Sequence, residues 1–262
     1  MVERKSIASP NLILSAAVKA PGGPDAARDG FRLGPIDLTC GGGSTVAVLG
    51  PNGSGKSTMF NLVAGQTQPD SGSVTLSGSP VRSMRARIGY LPQQGMLPPW
   101  ATPRELCDYS ARLIGATGPH GSGLAENALR YWDCLDFQHS LVGNLSTGMR
   151  KRVGLALATL HNPDLLVLDE PFEALDLGHI AALRQEIQRR THAGLITVFA
   201  THIASCAAGL ANVALFMGNG QATQLDWPAD EQSRIAMLEK KFLAAAPPPP
   251  GLLHPDSLQA SQ

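Results

Sequence analysis

The sequence predicts an α/β domain that carries an antiparallel β element near its N-terminus and an inserted helical subdomain. Two short apolar runs, Thr45–Leu49 and Leu165–Leu168, have the composition of buried strands, and the second is typical of a central parallel strand. Helical patterns alternate with such runs along the chain, which favours a sheet covered by helices. From residue 96 to about 143 there are helical patterns and no strand, which indicates a group of helices inserted in the core.

The remaining elements are predicted from local periodicity and from the glycines and prolines that bound them. The predicted strands lie at residues 12–14, 31–33 with 36–38, 73–78, 87–93, 195–200 and 213–217, with a loop at 20–24. The predicted helices lie at residues 59–64, 103–114, 124–135, 153–160 and 180–190, with an interruption at 115–123. Trp227 and Pro228 open a last predicted helix, on which Ile235, Leu238 and Phe242 share one face.

The charge balance and the cysteine content narrow the class of protein. The 262 residues contain 21 Lys and Arg against 21 Asp and Glu, so the net charge is zero. A protein that lives on nucleic acid or anionic lipid usually carries a basic surplus, and we therefore expect no nucleic-acid partner. Cys40, Cys107, Cys134 and Cys206 form no C-x-x-C pair, which favours reduced thiols. No apolar run is long enough to span a bilayer, and the first residues lack the core of a signal peptide.

One segment fits a phosphate-binding pattern without a mismatch. Residues 50–58 match G-x-x-x-x-G-K-[ST], directly after the strand Thr45–Leu49 and directly before a predicted helix that closes near Gly65. A flexible glycine-serine turn could match by chance, but the flanking strand and helix favour a nucleotide site. The candidate nucleotide-binding residues are Gly50, Pro51, Asn52, Gly53, Ser54, Gly55, Lys56, Ser57 and Thr58.

The chemistry of a triphosphate explains these residue types. Glycines let backbone N–H groups curve around the phosphate oxygens without a clash from Cβ, and the following helix directs its N-terminus at the anion. We expect Lys56 to reach the β- and γ-phosphates and the Ser57 hydroxyl to bind Mg²⁺.

Two carboxylates follow the predicted central strand at Asp169 and Glu170. Open α/β sheets bind their ligands at the carboxyl ends of parallel strands, so both groups are expected near the phosphates. Asp169 is a candidate Mg²⁺ ligand, usually through water, and Glu170 is a candidate general base for the attacking water. A strand that merely ends in solvated acids is the alternative, and the intact phosphate loop makes it the weaker one.

Residues 144–152 carry a resemblance to a known family. Leu145, Ser146, Gly148 and Arg152 match the L-S-G-G-Q signature and its following arginine in the ATPase subunits of ABC transporters, whereas Thr147 and Met149 depart from it. Three further residues match family motifs in the family's order: Gln93 of the Q-loop, Asp176 of the D-loop and His202 of the switch histidine. The resemblance covers nearly everything from residue 12 to 220.

The resemblance implies the P-loop NTPase core of the ABC-ATPase type, with ATP and Mg²⁺ as its ligands. In that family two subunits meet head to tail, so Ser146, Thr147 and Gly148 would contact the ATP bound by a second ATPase subunit. Gln93 would sense Mg²⁺ and the lytic water, and His202 would hydrogen-bond the γ-phosphate. Glu170, His202, Gln93 and Lys56 are thus the candidate catalytic residues.

The resemblance is weaker for the residue that stacks on the base, for the direction of transport and for the contact with a permease. The family's adenine-stacking aromatic residue is missing from residues 18–21, and Phe31 is the candidate substitute. The signature and residues 102–115 resemble those of drug, lipid or peptide exporters more than those of nutrient importers. The apolar stretch at residues 96–100 could bind a short helix of a membrane permease or could simply be packed inside the protein.

The predicted organisation is a lead at residues 1–11, an ABC-type ATPase domain at 12–225, a C-terminal helix at 226–243 and a proline-rich tail at 244–262. The helical subdomain occupies about residues 96–152. We expect a subunit that forms a homodimer around ATP, with a heterodimer as the alternative, and that sits on the cytoplasmic side of the cell membrane on separate permease chains. An importer ATPase, a soluble ATPase acting on nucleic acid or ribosomes, and a non-enzymatic ATP-gated module are the alternatives.

Overall fold

A computed structural model describes residues 9–20, 31–93 and 97–245 of the chain. The predicted lead up to residue 8, the loop at 21–24, Met96 and most of the proline-rich tail lie outside these described residues. In chain order the strands are β1 (Asn11–Lys19), β2 (Leu33–Gly41), β3 (Thr45–Leu49), β4 (Ser71–Leu76), β5 (Ser79–Pro80), β6 (Ile88–Leu91), β7 (Leu165–Leu168), β8 (Ile196–Ala200), β9 (Val213–Gly218) and β10 (Gln221–Gln224). The α-helices are α1 (Lys56–Val63), α2 (Pro103–Leu113), α3 (Gly118–Tyr131), α4 (Thr147–Thr159), α5 (Leu177–His192), α6 (Ala204–Leu210) and α7 (Glu231–Ala245).

Two sheets form the domain. The smaller sheet is antiparallel, with strand order β2-β1-β4-β5, and it confirms the antiparallel element predicted near the N-terminus. The larger sheet has the order β10-β9-β3-β8-β7-β6, and its neighbours from β9 to β6 run parallel. Because β3 and β7 run in the same direction in this sheet, the phosphate loop and the two carboxylates, which follow these strands, lie at the same end of the sheet.

Both faces of the larger sheet are buried, and alternate side chains enter two different cores. Val48 and Val167 point toward α1 and the smaller sheet, whereas Leu49 and Leu168 point toward the helices α2 to α5. This double burial explains why β3 and β7 are continuous apolar runs rather than alternating ones.

The predicted helical insertion is present as α2, α3 and the start of α4. It shares one continuous apolar core with a face of the larger sheet, and Trp132 in this core is 1% exposed and donates its indole N–H to the Thr159 hydroxyl at 2.9 Å. The predicted interruption at residues 115–123 is wrong from residue 118 onward, because α3 begins at Gly118. Gly121 permits close packing there, since a Cβ would lie 2.5 Å from the Ala116 carbonyl oxygen.

Several helix starts differ from the predicted ones because side chains cap them. Ser146 accepts a hydrogen bond from the Met149 N–H, so α4 begins six residues before the predicted 153. The last helix begins at Glu231 rather than at Trp227, since Asp230 accepts from the Ser233 N–H at 2.7 Å. The helix α6 and the strands β5 and β10 were not predicted.

The C-terminal helix α7 packs on the domain as its periodicity predicts. Leu238 is fully buried, and the Phe242 ring lies 6.1 Å from the Phe216 ring, centroid to centroid. Within the described part of the chain, no helix is both long and apolar enough to cross a membrane.

Candidate active site

The phosphate loop connects β3 to α1 and depends on glycine at defined points. Gly50 has a φ of 145°, and a Cβ at this position would lie 2.2 Å from the backbone oxygen of Met217 in β9. Gly55 has a φ of 104° and immediately precedes α1, where no side chain caps the first N–H groups. The first N–H groups of α1 therefore have no side-chain cap, which leaves this helix start suited to an anion.

Lys56 reaches back across this loop. Its ammonium group donates to the carbonyl oxygens of Gly50 at 2.9 Å and Pro51 at 3.1 Å, and the residue is 8% exposed. Burial lowers the pKa of Lys56, and the carboxylates of Glu170 and Asp169 partly oppose this shift. The lysine is thus held at the loop, with its charge facing the two acids.

A cleft of about 430 Å³ opens above the loop and joins residues that are distant in the chain. It brings together most of the phosphate loop, the exposed Gln93 and the catalytic candidate Glu170, while Gly50, Pro51 and Ser54 form the loop's inner side. Its lining is Phe31, Asn52, Gly53, Gly55, Lys56, Ser57, Thr58, Gln93 and Glu170. Phe31, the candidate base-stacking residue, is therefore at the cleft, and it is 37% exposed.

Asp169 is buried directly behind the cleft. It is 1% exposed, its N–H donates to the Leu91 carbonyl oxygen at 2.8 Å, and its Oδ2 is buried with no hydrogen-bond partner among the described residues. Burial raises the pKa of this carboxyl, while the Ser57 hydroxyl and the Lys56 ammonium oppose the shift. A buried carboxylate oxygen without a donor, beside a hydroxyl, fits a hard cation such as Mg²⁺.

Glu170 is held in an uncommon backbone conformation at the edge of the cleft. Its φ is 47°, it is 4% exposed, and its Oε2 lies 3.2 Å from the Nδ1 of His202. Burial raises the pKa of Glu170, and His202 and then Lys56 partly offset the shift. The predicted pair of a general base and a switch histidine is thus in direct contact.

A third carboxylate belongs to the same cluster and was missed by the sequence reasoning. The Oε1 of Glu173 lies 4.0 Å from the Nδ1 of His202, so the imidazole faces both Glu170 and Glu173. The one sequence feature that could have indicated Glu173 is its position only three residues after Glu170.

The signature and the D-loop lie apart from the cleft of their own chain. Ser146 and Thr147 are exposed at the start of α4, and neither they nor Gly148 line the cleft. Asp176 caps α5, where its Oδ1 accepts from the His179 N–H at 2.9 Å and its carboxylate lies 2.8 Å from the His179 Nδ1. These residues therefore do not line the cleft of their own chain.

The sequence reasoning also missed two polar contacts next to predicted site residues. Lys151, in α4, donates from Nζ to the backbone oxygen of Glu170 at 2.9 Å. His179 carries no sequence motif, but its Nδ1 lies 2.8 Å from the Asp176 carboxylate and its Nε2 lies 3.1 Å from an Arg152 nitrogen. Neither contact has a sequence signal, because both depend on how α4 packs against residues at the end of β7 and after it.

Comparison with known proteins decides the family. The sequence profile of the family described as ABC transporter matches residues 33–173, which is more than half of the chain and includes the phosphate loop, the signature and both carboxylates. The chain belongs to the ABC transporter family. In this family member most of the phosphate loop, Gln93 and Glu170 line one cleft, and Asp169 is buried behind it.

Individual members of the family are 33% to 41% identical to this chain over the aligned residues. An uncharacterized ABC transporter ATP-binding protein YxlF of Bacillus subtilis is 34% identical over 71% of the chain. The Fe(3+) ions import ATP-binding protein FbpC of Pseudomonas fluorescens is 33% identical over 89% of the chain and 68% of that protein. The Nod factor export ATP-binding protein I of Burkholderia thailandensis is 41% identical over 51% of the chain. The chain spans only 62% of the Bacillus protein and 45% of the Burkholderia one.

A solved structure shows the same fold. The structure described as an ATP-binding subunit of an ABC transporter superposes with a TM-score of 0.75 at 23% identity, covering 87% of this chain and 99% of the other. The predicted fold class, an ABC-type α/β core with an antiparallel sheet and a helical region, is therefore confirmed. The predicted export branch is not confirmed, because relatives named for import and for export both match.

Proposed function

We propose that this ABC transporter family member binds Mg²⁺ and ATP, hydrolyses the ATP and powers transport through separate membrane permease subunits. The observation that carries this proposal is the position of Glu170. It is a buried carboxylate at the edge of the phosphate-loop cleft, in contact with an imidazole at 3.2 Å. A protein that only bound nucleotide would have no need for a desolvated base at this point.

ATP binding is assigned to the phosphate loop and the start of α1. The loop N–H groups and the helix N-terminus attract the anionic phosphates, and Lys56 adds a positive charge at the same edge. The proposed phosphate contacts are Gly50, Pro51, Asn52, Gly53, Ser54, Gly55, Lys56, Ser57 and Thr58. Phe31 lines the same cleft and is the proposed contact for the base.

The residues that would hold Mg²⁺ are Ser57, Gln93 and Asp169. Their fit rests on the oxygen-rich donor set and on the buried, unpartnered Oδ2 of Asp169. The bound ion would neutralise charge on the phosphate oxygens during phosphoryl transfer.

Hydrolysis is assigned to Glu170, with His202 and Gln93 beside it. Glu170 would accept a proton from the attacking water at a carboxylate oxygen, and the burial that raises its pKa makes this carboxylate a stronger base than an exposed one. His202 would orient that carboxylate and donate to the γ-phosphate, and Gln93, exposed at the cleft, would contact the water. The result is release of phosphate and loss of one anionic contact.

We further propose that a second ATPase subunit, another copy of this chain, completes the site. Ser146, Thr147 and Gly148 lie at the N-terminal end of α4, away from their own cleft, and would bind the partner's γ-phosphate. Asp176 starts α5 beside this surface and would lie at the same junction. A solved ATP-binding cassette of this fold is described as dimeric and bound to ADP and Pi.

The place of work and the direction of transport are finer proposals. A subunit that docks on a permease would sit at the cytoplasmic side of the cell membrane, and residues 97–100, of which Trp100 is 76% exposed, would contribute to the docking surface. Export is proposed from the form of the signature and from the 41% identity with the Nod factor export protein. Import is the competing direction, favoured by the longer match with FbpC and by further relatives named for sulfate and taurine import.

The substitution Glu170→Gln tests the proposed hydrolysis. It keeps the size and hydrogen bonding of the side chain but removes the base, so phosphate release should fall by about 10²–10⁴-fold while ATP affinity persists. Glu173→Gln is the matched control, since that neighbouring carboxylate also faces His202 but is not the proposed base. Hydrolysis near the wild-type rate in Glu170→Gln would remove Glu170 from this role.

A further inference from the structure

Lys151 is a buried lysine that the proposed mechanism does not use. It lies in α4, five residues after the capping Ser146, and is 8% exposed. Its Nζ donates to the backbone oxygen of Glu170 at 2.9 Å. An ammonium group is costly to bury unless it is paired, and burial does lower the pKa of Lys151 while Glu173, Asp169 and Glu170 oppose the shift. This lysine therefore faces the whole acidic cluster at the end of β7.

The backbone that Lys151 binds needs an external constraint. Glu170 has a φ of 47°, which is unfavourable for a residue with a side chain, and Ala174 four residues later has a φ of 61°. Such conformations persist only where the surroundings fix them. The hydrogen bond from Lys151 is made to the carbonyl of the strained residue itself, so it acts on the direction in which the Glu170 side chain leaves the backbone.

A second contact joins α4 to the same segment. Gly148 lies so close to Ala174 that a Cβ on the glycine would be 2.6 Å from the Ala174 carbonyl oxygen. The start of α4 is thus packed against one end of the segment 170–174, and Lys151 holds the other end. The helix α4 and the segment that carries Glu170 are therefore joined at two points.

We propose that Lys151 is a positioning residue for hydrolysis, which fixes Glu170 through its backbone carbonyl and ties it to the signature end of α4. This inference rests on the proposed role of Glu170 as the base. Through α4, the surface that would contact one ATP is connected to the base that acts on another. Lys151 touches neither substrate nor the reacting atoms, so its effect is on the turnover rate and not on nucleotide affinity.

The test compares two substitutions of Lys151 in the full chain. Lys151→Met keeps most of the side-chain volume and removes the donor, and phosphate release at saturating Mg-ATP should fall by about 10–100-fold, because small misplacements of a reacting group cost rates of this order. ATP affinity, measured by calorimetry, should stay within about twofold of wild type. Lys151→Arg keeps a donor of sufficient reach and should restore most of the rate. Lys240→Met, on the exposed side of α7, is the neutral control.

A double substitution separates positioning from a general structural role. If Lys151 acts through Glu170, adding Lys151→Met to Glu170→Gln should not lower the residual hydrolysis further. Three results would overturn the inference. One is wild-type turnover in Lys151→Met, and a second is an equal loss of ATP affinity and turnover that Lys151→Arg does not restore. The third is an additive loss of hydrolysis in the double variant. If Lys151→Met does not fold, Lys151→Gln, whose amide is too short for the carbonyl, replaces it in the same comparison. Normal hydrolysis in Glu170→Gln alone would instead contradict the proposed function.

Discussion

Two glycines of the phosphate loop allow a stability prediction with a built-in control. Both have a positive φ, 145° at Gly50 and 79° at Gly53, so alanine is strained at either position. They differ in their surroundings: a Cβ at Gly50 would lie 2.2 Å from the Met217 backbone oxygen, whereas a Cβ at Gly53 has no atom within 4 Å. The pair therefore separates backbone strain from steric conflict.

The magnitudes follow from these two terms. A side chain in the left-handed region costs about 1–2 kcal/mol, which is the whole expected effect of Gly53→Ala. Forced overpacking against a neighbouring group adds about 1–3 kcal/mol, and strand β9 is a rigid neighbour within the larger sheet. Gly50→Ala should therefore lower the free energy of unfolding by about 2–5 kcal/mol, more than its control does.

Urea unfolding of the nucleotide-free chain, followed by circular dichroism, measures both variants on the same scale. The expected result is a lower midpoint for Gly50→Ala than for Gly53→Ala, with unchanged m-values. Equal destabilisation by the two substitutions, or a Gly50→Ala protein as stable as wild type, would refute the reasoning from close contact with β9.

Three further predictions concern the cleft. Lys56→Ala should weaken ATP binding because it removes the positive charge held at the loop, and unchanged affinity by calorimetry would contradict this. Asp169→Asn should abolish the Mg²⁺ dependence of ATP binding and yet raise the thermal stability of the nucleotide-free chain at neutral pH. Burial raises the Asp169 pKa, so above the ordinary pKa of 3.8 the ionised carboxylate lowers the stability of the folded chain. The extra stability of Asp169→Asn should therefore disappear in acid, where this carboxyl is protonated in both the folded and the unfolded chain. A variant less stable than wild type at neutral pH would contradict this prediction. Phe31→Ala should weaken binding of ATP and ADP but not of inorganic tripolyphosphate if the ring contacts the base, and an equal loss for all three would argue against that contact.

The strands and the phosphate loop were predictable because their signals are local. The strands β3 and β7 are short, mostly apolar runs. Glycine-containing segments flank β3 and acidic residues flank β7, and both strands were predicted at their observed bounds. The phosphate loop has fixed spacing, so its residues were identified without knowledge of their neighbours. Gln93 was assigned from a family motif and Glu170 from its position after a predicted central strand, and the fold brings both to the cleft lined by the loop.

The missed elements had weak or overlooked local signals. The helix α6 is short and consists largely of small residues, which gives little periodicity. The strand β10 is mostly exposed, but Asn219 and Gly220 before it form a two-residue turn with φ values of 49° and 77°, a hairpin signal that could have been used. The start of α3 was hidden by its three glycines, of which only Gly121 is required by close packing, since a Cβ there would lie 2.5 Å from the Ala116 carbonyl oxygen.

The missed site contacts are tertiary. Lys151 lies 19 residues from Glu170 in the chain, and the contact exists only because α4 packs beside the end of β7. Glu173 became part of the cluster because His202, from the segment after β8, lies between it and Glu170. A sequence pattern with fixed spacing contains no information on such pairs.

In the proposed dimer, the phosphate loop of one copy and the signature of another enclose the same ATP. Light scattering of the Glu170→Gln chain, with Mg-ATP present and bound ATP quantified, tests this arrangement most directly. We expect twice the monomer mass with Mg-ATP, and the monomer mass after removal of Mg²⁺ or when Ser146→Arg is added to block the signature. An ATP-saturated chain that remains a monomer, or a dimer that forms equally well with Ser146→Arg, would contradict it.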